Sequence, residues 1–285
     1  MSISLDNDTK LGEHFFIGAM GSFGSGEMTF SSDIDLIFIT DNLEENPGEQ
    51  KMFLDFLDKL REEFKPVPVD CRLRPEGKSA MLVWDVNAYI KYISARARTW
   101  ELQAFTKLNF ISGNRNLFNR IIRAVAKRLK TENPQQIKSD LREMRKKMIP
   151  SSGGSTEMIN LKKSAGGITD IEFILQYLIL CNPQLFRKLR AKNVKATSAG
   201  MIRFSPDNAS FLNLLSANHI FLRSLILHNQ NIFHQSGTLI LIDELRFRKL
   251  ADRMEYDSAS ELKKKLFQVM KDNSSLFNKF LDRNI

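Results

Sequence analysis

The chain has 285 residues, 42% of them hydrophobic, enough for a substantial core in one to two domains at a prior of about 150 residues each. Its 42 Lys and Arg against 33 Asp and Glu leave a net charge of +9, which favours phosphate-bearing partners without choosing among them. No stretch approaches the roughly 18 consecutive apolar residues of a membrane helix, Met1 to Lys10 lacks the character of an export signal, and Cys71 and Cys181 make no disulfide scaffold, so a reduced, cytoplasmic protein with no membrane partner is expected.

In chain order, Phe15 to Ala19 predicts a strand that runs into a Gly/Ser-rich turn, Gly21 to Gly26. Asp33 to Ile39 (DIDLIFI) predicts a second strand from its β-branched and aromatic content. Asp41 to Gly48 breaks the pattern. Phe53, Phe56, Leu57, Leu60 and Phe64 then recur at helical spacing, and Pro66 and Pro68 end that helix. Val67 to Leu73 reads as a third strand and Met81 to Trp84 as a fourth. From Val86 onward helical periodicity dominates, with breaks near Ser112-Gly113, Asn133-Pro134 and the loop Pro150 to Ser155. Gly166-Gly167 opens an apolar helix through Leu180, broken in its hydropathy by Glu172 and Gln176, and later helices are expected at Phe211 to His228, Asp243 to Met254 and Ser258 to Leu281. The fold class is α+β: a small mixed β-sheet domain over residues 1–130, then an α-helical bundle over 131–285.

The chemistry concentrates in Gly21-Ser22 followed ten residues later by Asp33-x-Asp35. Alternate strand residues share a face, so Asp33 and Asp35 present neighbouring carboxylates while Ile34 and Leu36 turn the other way. Adjacent carboxylates repel unless a cation lies between them, and Mg²⁺ is commonly held by one or two carboxylates together with substrate phosphates. Glycine lets backbone N–H groups approach phosphate oxygens closely, and Ser22 adds a hydroxyl. On the third strand Asp70, Arg72 and Arg74 alternate, uniting an acid with two phosphate-binding cations. Three carboxylates on two strands suggest two-metal phosphoryl or nucleotidyl transfer, with Asp70 as a proton acceptor.

These residues resemble the nucleotidyltransferase signature of the DNA polymerase beta superfamily. More segments narrow the likeness: Gly24-x-Gly26-Glu27-Met28-x-Phe30-Ser31-Ser32-Asp33-Ile34-Asp35, Asp70-x-Arg72-Leu73-Arg74-Pro75-x-Gly77, Arg98-x-Trp100-Glu101-x-Gln103-Ala104, and Lys162-x-x-x-Gly166-Gly167-Ile168-x-Asp170-Ile171-Glu172-Phe173. Together they are similar to glutamine synthetase adenylyltransferase over roughly Gly18 to Leu180. The resemblance implies a polymerase beta-like catalytic domain with two Mg²⁺ ions on Asp33, Asp35 and Asp70, and ATP held by Gly21, Ser22, Ser32, Arg72 and Arg74. It also implies glutamine synthetase as partner, with a nitrogen-signalling regulatory protein as a further one; a nucleic-acid nucleotidyltransferase would use the same carboxylates and fit the charge, but the sequence holds no recognisable RNA-binding module, so no nucleic acid is expected. Family members carry two such halves, one transferring AMP to a tyrosine of glutamine synthetase and one removing it by phosphorolysis; with one core, the chain reads as a fragment or a truncated member. Thr169 and the segment Ser79 to Val83 lean toward the transferring half, whereas Phe30 to Phe38 and Arg98-x-Trp100-Glu101 resemble the removing half at least as much. A catalytically silent nucleotide-binding regulatory module is the reading without an enzyme.

Other residues have plainer expectations. Trp100 reads as a core anchor, and Glu101 as the partner of an arginine or as a residue supporting the site or contacting the other domain. Asp170 and Glu172 stand at a helix start, where carboxylates meet the helix dipole, or else contact the catalytic domain. Lys162 and Lys163 read as solvated, and the four histidines show no zinc spacing. Arg142, Arg145, Lys146 and Lys147 read as a solvated basic face, or a docking face for glutamine synthetase, opposite Ile137, Leu141, Met144 and Met148.

Overall fold

The computed structural model describes residues 11–41, 43, 48–77, 81–149 and 157–282, so Met1 to Lys10, Ser79-Ala80 and the loop Pro150 to Ser155 lie outside the described residues. It is α+β, a small mixed sheet and a helical region. Contacts divide the chain into two compact units. One takes the described residues of Met1–Met28, Ser32–Glu132 and Ile179–Lys192; the other takes Thr29–Ser31, Asn133–Leu178 and Asn193–Ile285.

The first unit begins with a short helix α1 (Leu11–His14), strand β1 (Phe15–Ala19), the four-residue helix α2 (Gly21–Gly24) and strand β2 (Ile34–Thr40). Helix α3 (Gly48–Glu63) leads to β3 (Val69–Asp70) and β4 (Val83–Asp85), followed by α4 (Val86–Ala95), α5 (Thr99–Phe105), β5 (Asn109–Gly113) and α6 (Arg115–Leu129). The sheet order is β3-β2-β1-β5, with β4 also on β2; β1 lies antiparallel to β2 and β5, while β3 and β4 run parallel to β2. One face buries Phe15, Ile17, Ile34, Leu36 and Phe38 against Phe53, Leu57 and Leu60 of α3. Those α3 residues recur at i, i+4 and i+7, the apolar stripe that makes the segment a helix. Phe53 meets the Phe15 and Phe38 rings at 5.2 and 5.1 Å. Residues of the opposite parity face α6, where Phe16 and Phe118 pack edge to face at 5.5 Å. Asp85 caps α4 by accepting from Asn87 N and Ala88 N, and Asn114 caps α6 in the same way.

The sequence pattern misses β5 and overextends β3. Only Val69 and Asp70 pair as strand; Cys71 to Arg74 bend away. Strand β5 was hidden because it lies at the sheet edge with most of its residues outward, so its side chains do not alternate between core and water.

The second unit contains α7 (Pro134–Met148), β6 (Met158–Asn160) and most of α8 (Ile168–Leu180), with α9 (Pro183–Leu189) returning to the first unit. Then follow α10 (Val194–Phe204), a 3₁₀ turn (Pro206–Asn208), α11 (Ala209–Phe233), β7 (Leu239–Leu241), α12 (Glu244–Arg253) and α13 (Ala259–Asp282). Strands β6 and β7 form an antiparallel ribbon. Pro206–Phe233 is long and apolar enough to cross a membrane by length and composition alone. It also buries Asn218, His219, Asn229 and Gln230 beside Leu215, Leu222 and Leu225, the mixture of a bundle's core helix.

Candidate active site

The first unit gathers the predicted acids at the entry to β2. Ile34 N donates to Pro68 O at 2.8 Å, which fixes the parallel register that pairs Ile34 with Val69 and Asp35 with Asp70. Ile34 and Val69 turn into the core, so Asp35 and Asp70 stand side by side on the other face, both half-buried. Asp33 precedes the strand, also half-buried.

The glycine-rich turn lies against this pair. Met20 N donates to Asp35 O at 2.9 Å, and the chain then turns through Gly21 at φ +54°. A Cβ on Gly21 would fall 2.1 Å from Asp35 Oδ2, so both the backbone angle and the neighbouring carboxylate demand glycine. Glu27 N donates to Ser22 O at 2.8 Å and Ser25 Oγ to Glu27 Oε2 at 3.4 Å, tying the turn to a buried acid that the sequence reading missed. Its only signal was its place inside the Gly24 to Met28 segment. Ser22 and Ser32 are half-buried nearby in the chain.

Arg72 is a cation set among the acids. Its backbone N–H donates to Asp70 Oδ1 at 2.8 Å, and its guanidinium donates to Asp70 Oδ2. Asp70 above all, then Asp33 and Asp35, raise the Arg72 pKa, so its charge is within electrostatic reach of all three carboxylates. The Arg72 side chain is 55% exposed and that of Asp70 13%. Because β3 ends at Asp70, the expected strand alternation of Asp70, Arg72 and Arg74 is replaced by a bend that folds Arg72 back onto Asp70. Arg74 turns to donate to Cys71 O. Burial pushes the Cys71 thiol up to about 11, which keeps it protonated beneath the acids.

Arg74, Met20, Leu73, Tyr92 and Glu101 line a small cavity within this unit. Buried Glu101 accepts from Tyr92 Oη at 2.7 Å and from Arg98 N at 2.8 Å, closing a capping box at the start of α5. Burial and Glu101 push the Tyr92 phenol up to about 12. Glu101 thus meets an arginine's backbone rather than its side chain.

The second unit uses its acids differently. Asp170 is buried, accepts from Arg145 Nε, and takes Gly166 N–H at 2.5 Å; Arg145 also donates to Ser164 O at 2.8 Å. Burial pushes the Asp170 carboxyl up, while Arg145 and the Gly166 N–H pull it back. Arg145 is therefore no part of a solvated face: it is 1% exposed. The signal was present, since Ile137, Leu141 and Arg145 form one i, i+4 row. Helix α8 offers its first amides to no ligand, because Ile168 N donates to Leu161 O and Thr169 N to Lys162 O. Glu172 is half-buried, Lys163 exposed and Lys162 half-buried.

A mixed sheet with in-register acids beneath a glycine turn, joined to a helical region, defines a nucleotidyltransferase-like protein. Residues 2–124 match the family described as glutamate-ammonia ligase adenylyltransferase, and residues 135–281 match that described as GlnD PII-uridylyltransferase. The bifunctional glutamine synthetase adenylyltransferase/adenylyl-removing enzyme of Bordetella bronchiseptica is 29% identical over 182 residues, 62% of this chain and 19% of that protein. Its namesake from Aromatoleum aromaticum is 30% identical over 185 residues, 61% of this chain and 19% of that protein. Over residues 135–281, about half of its length, the chain belongs to the GlnD PII-uridylyltransferase family, and its first part is similar to glutamate-ammonia ligase adenylyltransferase. Its match spans about a fifth of the length of these relatives.

Proposed function

We propose that the chain is an Mg²⁺-dependent nucleotidyltransferase core, residues 1–130, followed by a helical domain, residues 131–285, which transfers AMP from ATP to a tyrosine of glutamine synthetase. The observation that carries this reading is the in-register pair Asp35 and Asp70 lying against the Gly21 turn. The donors are all hard carboxylate oxygens, two of them on paired strands and the third just before one, the set that Mg²⁺ prefers. Asp33, Asp35 and Asp70 would hold two Mg²⁺ ions, which neutralise charge on the phosphates and on the reacting oxygens. Gly21, Ser22 and Ser32 bind the phosphates. Arg72 exchanges its contact with Asp70 for a phosphate oxygen, the freed Asp70 accepts the tyrosine proton as that oxygen attacks the α-phosphorus, and pyrophosphate leaves. Arg74 braces the bend that carries Arg72.

The second reading is the adenylyl-removing reaction, in which inorganic phosphate attacks the phosphorus of adenylyl-tyrosine, the tyrosine oxygen leaves and ADP is formed; the names of both curated relatives include adenylyl removal. Transfer of label from α-labelled ATP to unmodified glutamine synthetase in Mg²⁺, with Asp35→Asn as control, tests the proposal. Incorporation that disappears in the variant is the expected result. Release of ADP from adenylylated glutamine synthetase and phosphate, without incorporation, moves the chain to the removing reaction. Nucleotide binding with neither turnover makes it a silent regulatory module, and a fully active Asp35→Asn overturns the metal assignment.

A further inference from the structure

The outer edge of the sheet carries a feature that nucleotidyl transfer does not use. Strand β5 ends the sheet order, and among the described residues nothing pairs with its outer side. Asn109, Ile111 and Ser112 are exposed, Ile111 to 43%. A bulge opposite Ile17 and Gly18 leaves Ile111 without a register partner on β1. The strand reads NFISG, so it lacks the charges and prolines that usually blunt an exposed edge.

Two arginines stand beside it. Phe110 of β5 and Phe118 of α6 pack edge to face at 5.5 Å. The Arg115 guanidinium lies 4.1 Å from the centre of the Phe110 ring and that of Arg190 lies 4.9 Å from Phe118. Arg190 donates to Leu108 O at 3.2 Å, which anchors it at the start of the strand, yet its Nε is buried without a hydrogen-bond partner. Burial first and the neighbouring Arg115 second lower the Arg190 pKa, and no carboxylate contributes. Two cations repelling one another with no acid between them hold unspent attraction for an anion. All of these residues belong to the first unit.

We infer that β5 and the Arg115/Arg190 pair form a docking edge for an extended acidic segment of a partner protein, which adds to the sheet as a further strand. The unpaired strand backbone supplies main-chain hydrogen bonds, Ile111 supplies an apolar contact, and the arginines select acidic side chains. Charge chooses this occupant over a second copy, since two copies paired through β5 would set their arginines against each other. Nucleic acid would satisfy the charges but offers no backbone for the strand to pair with.

The test uses the full chain and a labelled peptide alternating glutamate with valine, followed by fluorescence anisotropy and amide hydrogen exchange. Binding with new protection across Asn109–Gly113 is expected, with no binding of the lysine-valine counterpart. Arg115→Glu, an exposed position, weakens binding about tenfold or more while the melting midpoint stays in place; Arg190→Gln, a second variant, weakens it less. Failure of the acidic peptide to bind, or binding without protection of β5, overturns the proposal. So does a single-stranded DNA oligonucleotide that competes fully and depends on Arg115 in the same way, which would make the edge a nucleic-acid surface.

Discussion

Each unit contains an arginine and an aspartate in a short ion pair, and the two pairs live in opposite surroundings. Arg72 reaches Asp70 from a half-exposed position with Asp33 and Asp35 close enough to act on its charge. Arg145 and Asp170 are almost wholly buried, and besides pairing with each other they hold backbone at Ser164 O and Gly166 N; Gly166 O in turn accepts from Asn273 Nδ2 at 2.9 Å. Asn273 Oδ1 accepts in turn from Asn218 at 2.8 Å, so the buried pair belongs to a polar chain linking α7, α8, α11 and α13. The same two residue types therefore make a rearrangeable cluster in one unit and a fixed brace in the other. Burial sets the difference: an exposed arginine exchanges partners at little cost, whereas a buried one cannot lose its acid without stranding a charge.

Breaking the brace gives the largest stability change. Asp170→Ala leaves Arg145 buried and uncompensated, and is expected to cost about 3–5 kcal/mol in denaturant unfolding of the full chain. Asp170→Asn still accepts from Gly166 N–H and costs less. A loss below about 1 kcal/mol for Asp170→Ala would show that the pair does not brace the helices.

The two glycines sharpen the same contrast. Gly166 has φ +78°, and a Cβ there would sit 1.8 Å from Met270 O, a backbone atom of helix α13 that cannot step aside. At Gly21 the Cβ would sit 2.1 Å from Asp35 Oδ2, the end of a side chain that can rotate. Alanine in the left-handed region costs roughly 1–2 kcal/mol at either position. Gly166→Ala adds the backbone clash and should lower stability by about 3 kcal/mol or more. Gly21→Ala should stay near the lower figure while displacing the Asp35 carboxylate, so turnover falls far more than stability. Equal destabilisation of the two variants would contradict this.

Much of this contrast is legible in the sequence, and its gaps have physical causes. The Gly-Ser turn, the Asp33-x-Asp35 spacing and the strands at Phe15 and Ile34 follow from local chemistry: short apolar runs rich in β-branched and aromatic residues, buried almost throughout, and a conformation only glycine adopts cheaply. The late helices at Ala209, Glu244 and Ala259 follow from helical periodicity over long spans. Arg145 escaped because a charged residue within a basic run is read as solvated, although its i+4 row with Ile137 and Leu141 points inward. Its partner lies 25 residues away on another helix, and no local rule pairs them. The fold of Arg72 onto Asp70 was equally hidden, since the alternation of Asp70, Arg72 and Arg74 reads as continuing strand whereas β3 lasts only two residues.

The smallest expected stability effect is the most telling for function. Arg72→Gln removes a half-exposed guanidinium from a cluster that water already screens, so the denaturation midpoint should not move. The Arg72 N–H to Asp70 hydrogen bond is made by backbone and survives the substitution, which keeps the bend in place. What changes is charge: Asp33, Asp35 and Asp70 lose a cation that feels all three of them. If Arg72 serves the nucleotide, the KM for ATP rises severalfold in the variant while Mg²⁺ binding, read by titration calorimetry, strengthens because a competing cation is gone. If Arg72 is instead a brace like Arg145, the midpoint falls and neither binding constant moves independently of it. The two results separate a cation poised to change partners from one that holds the fold.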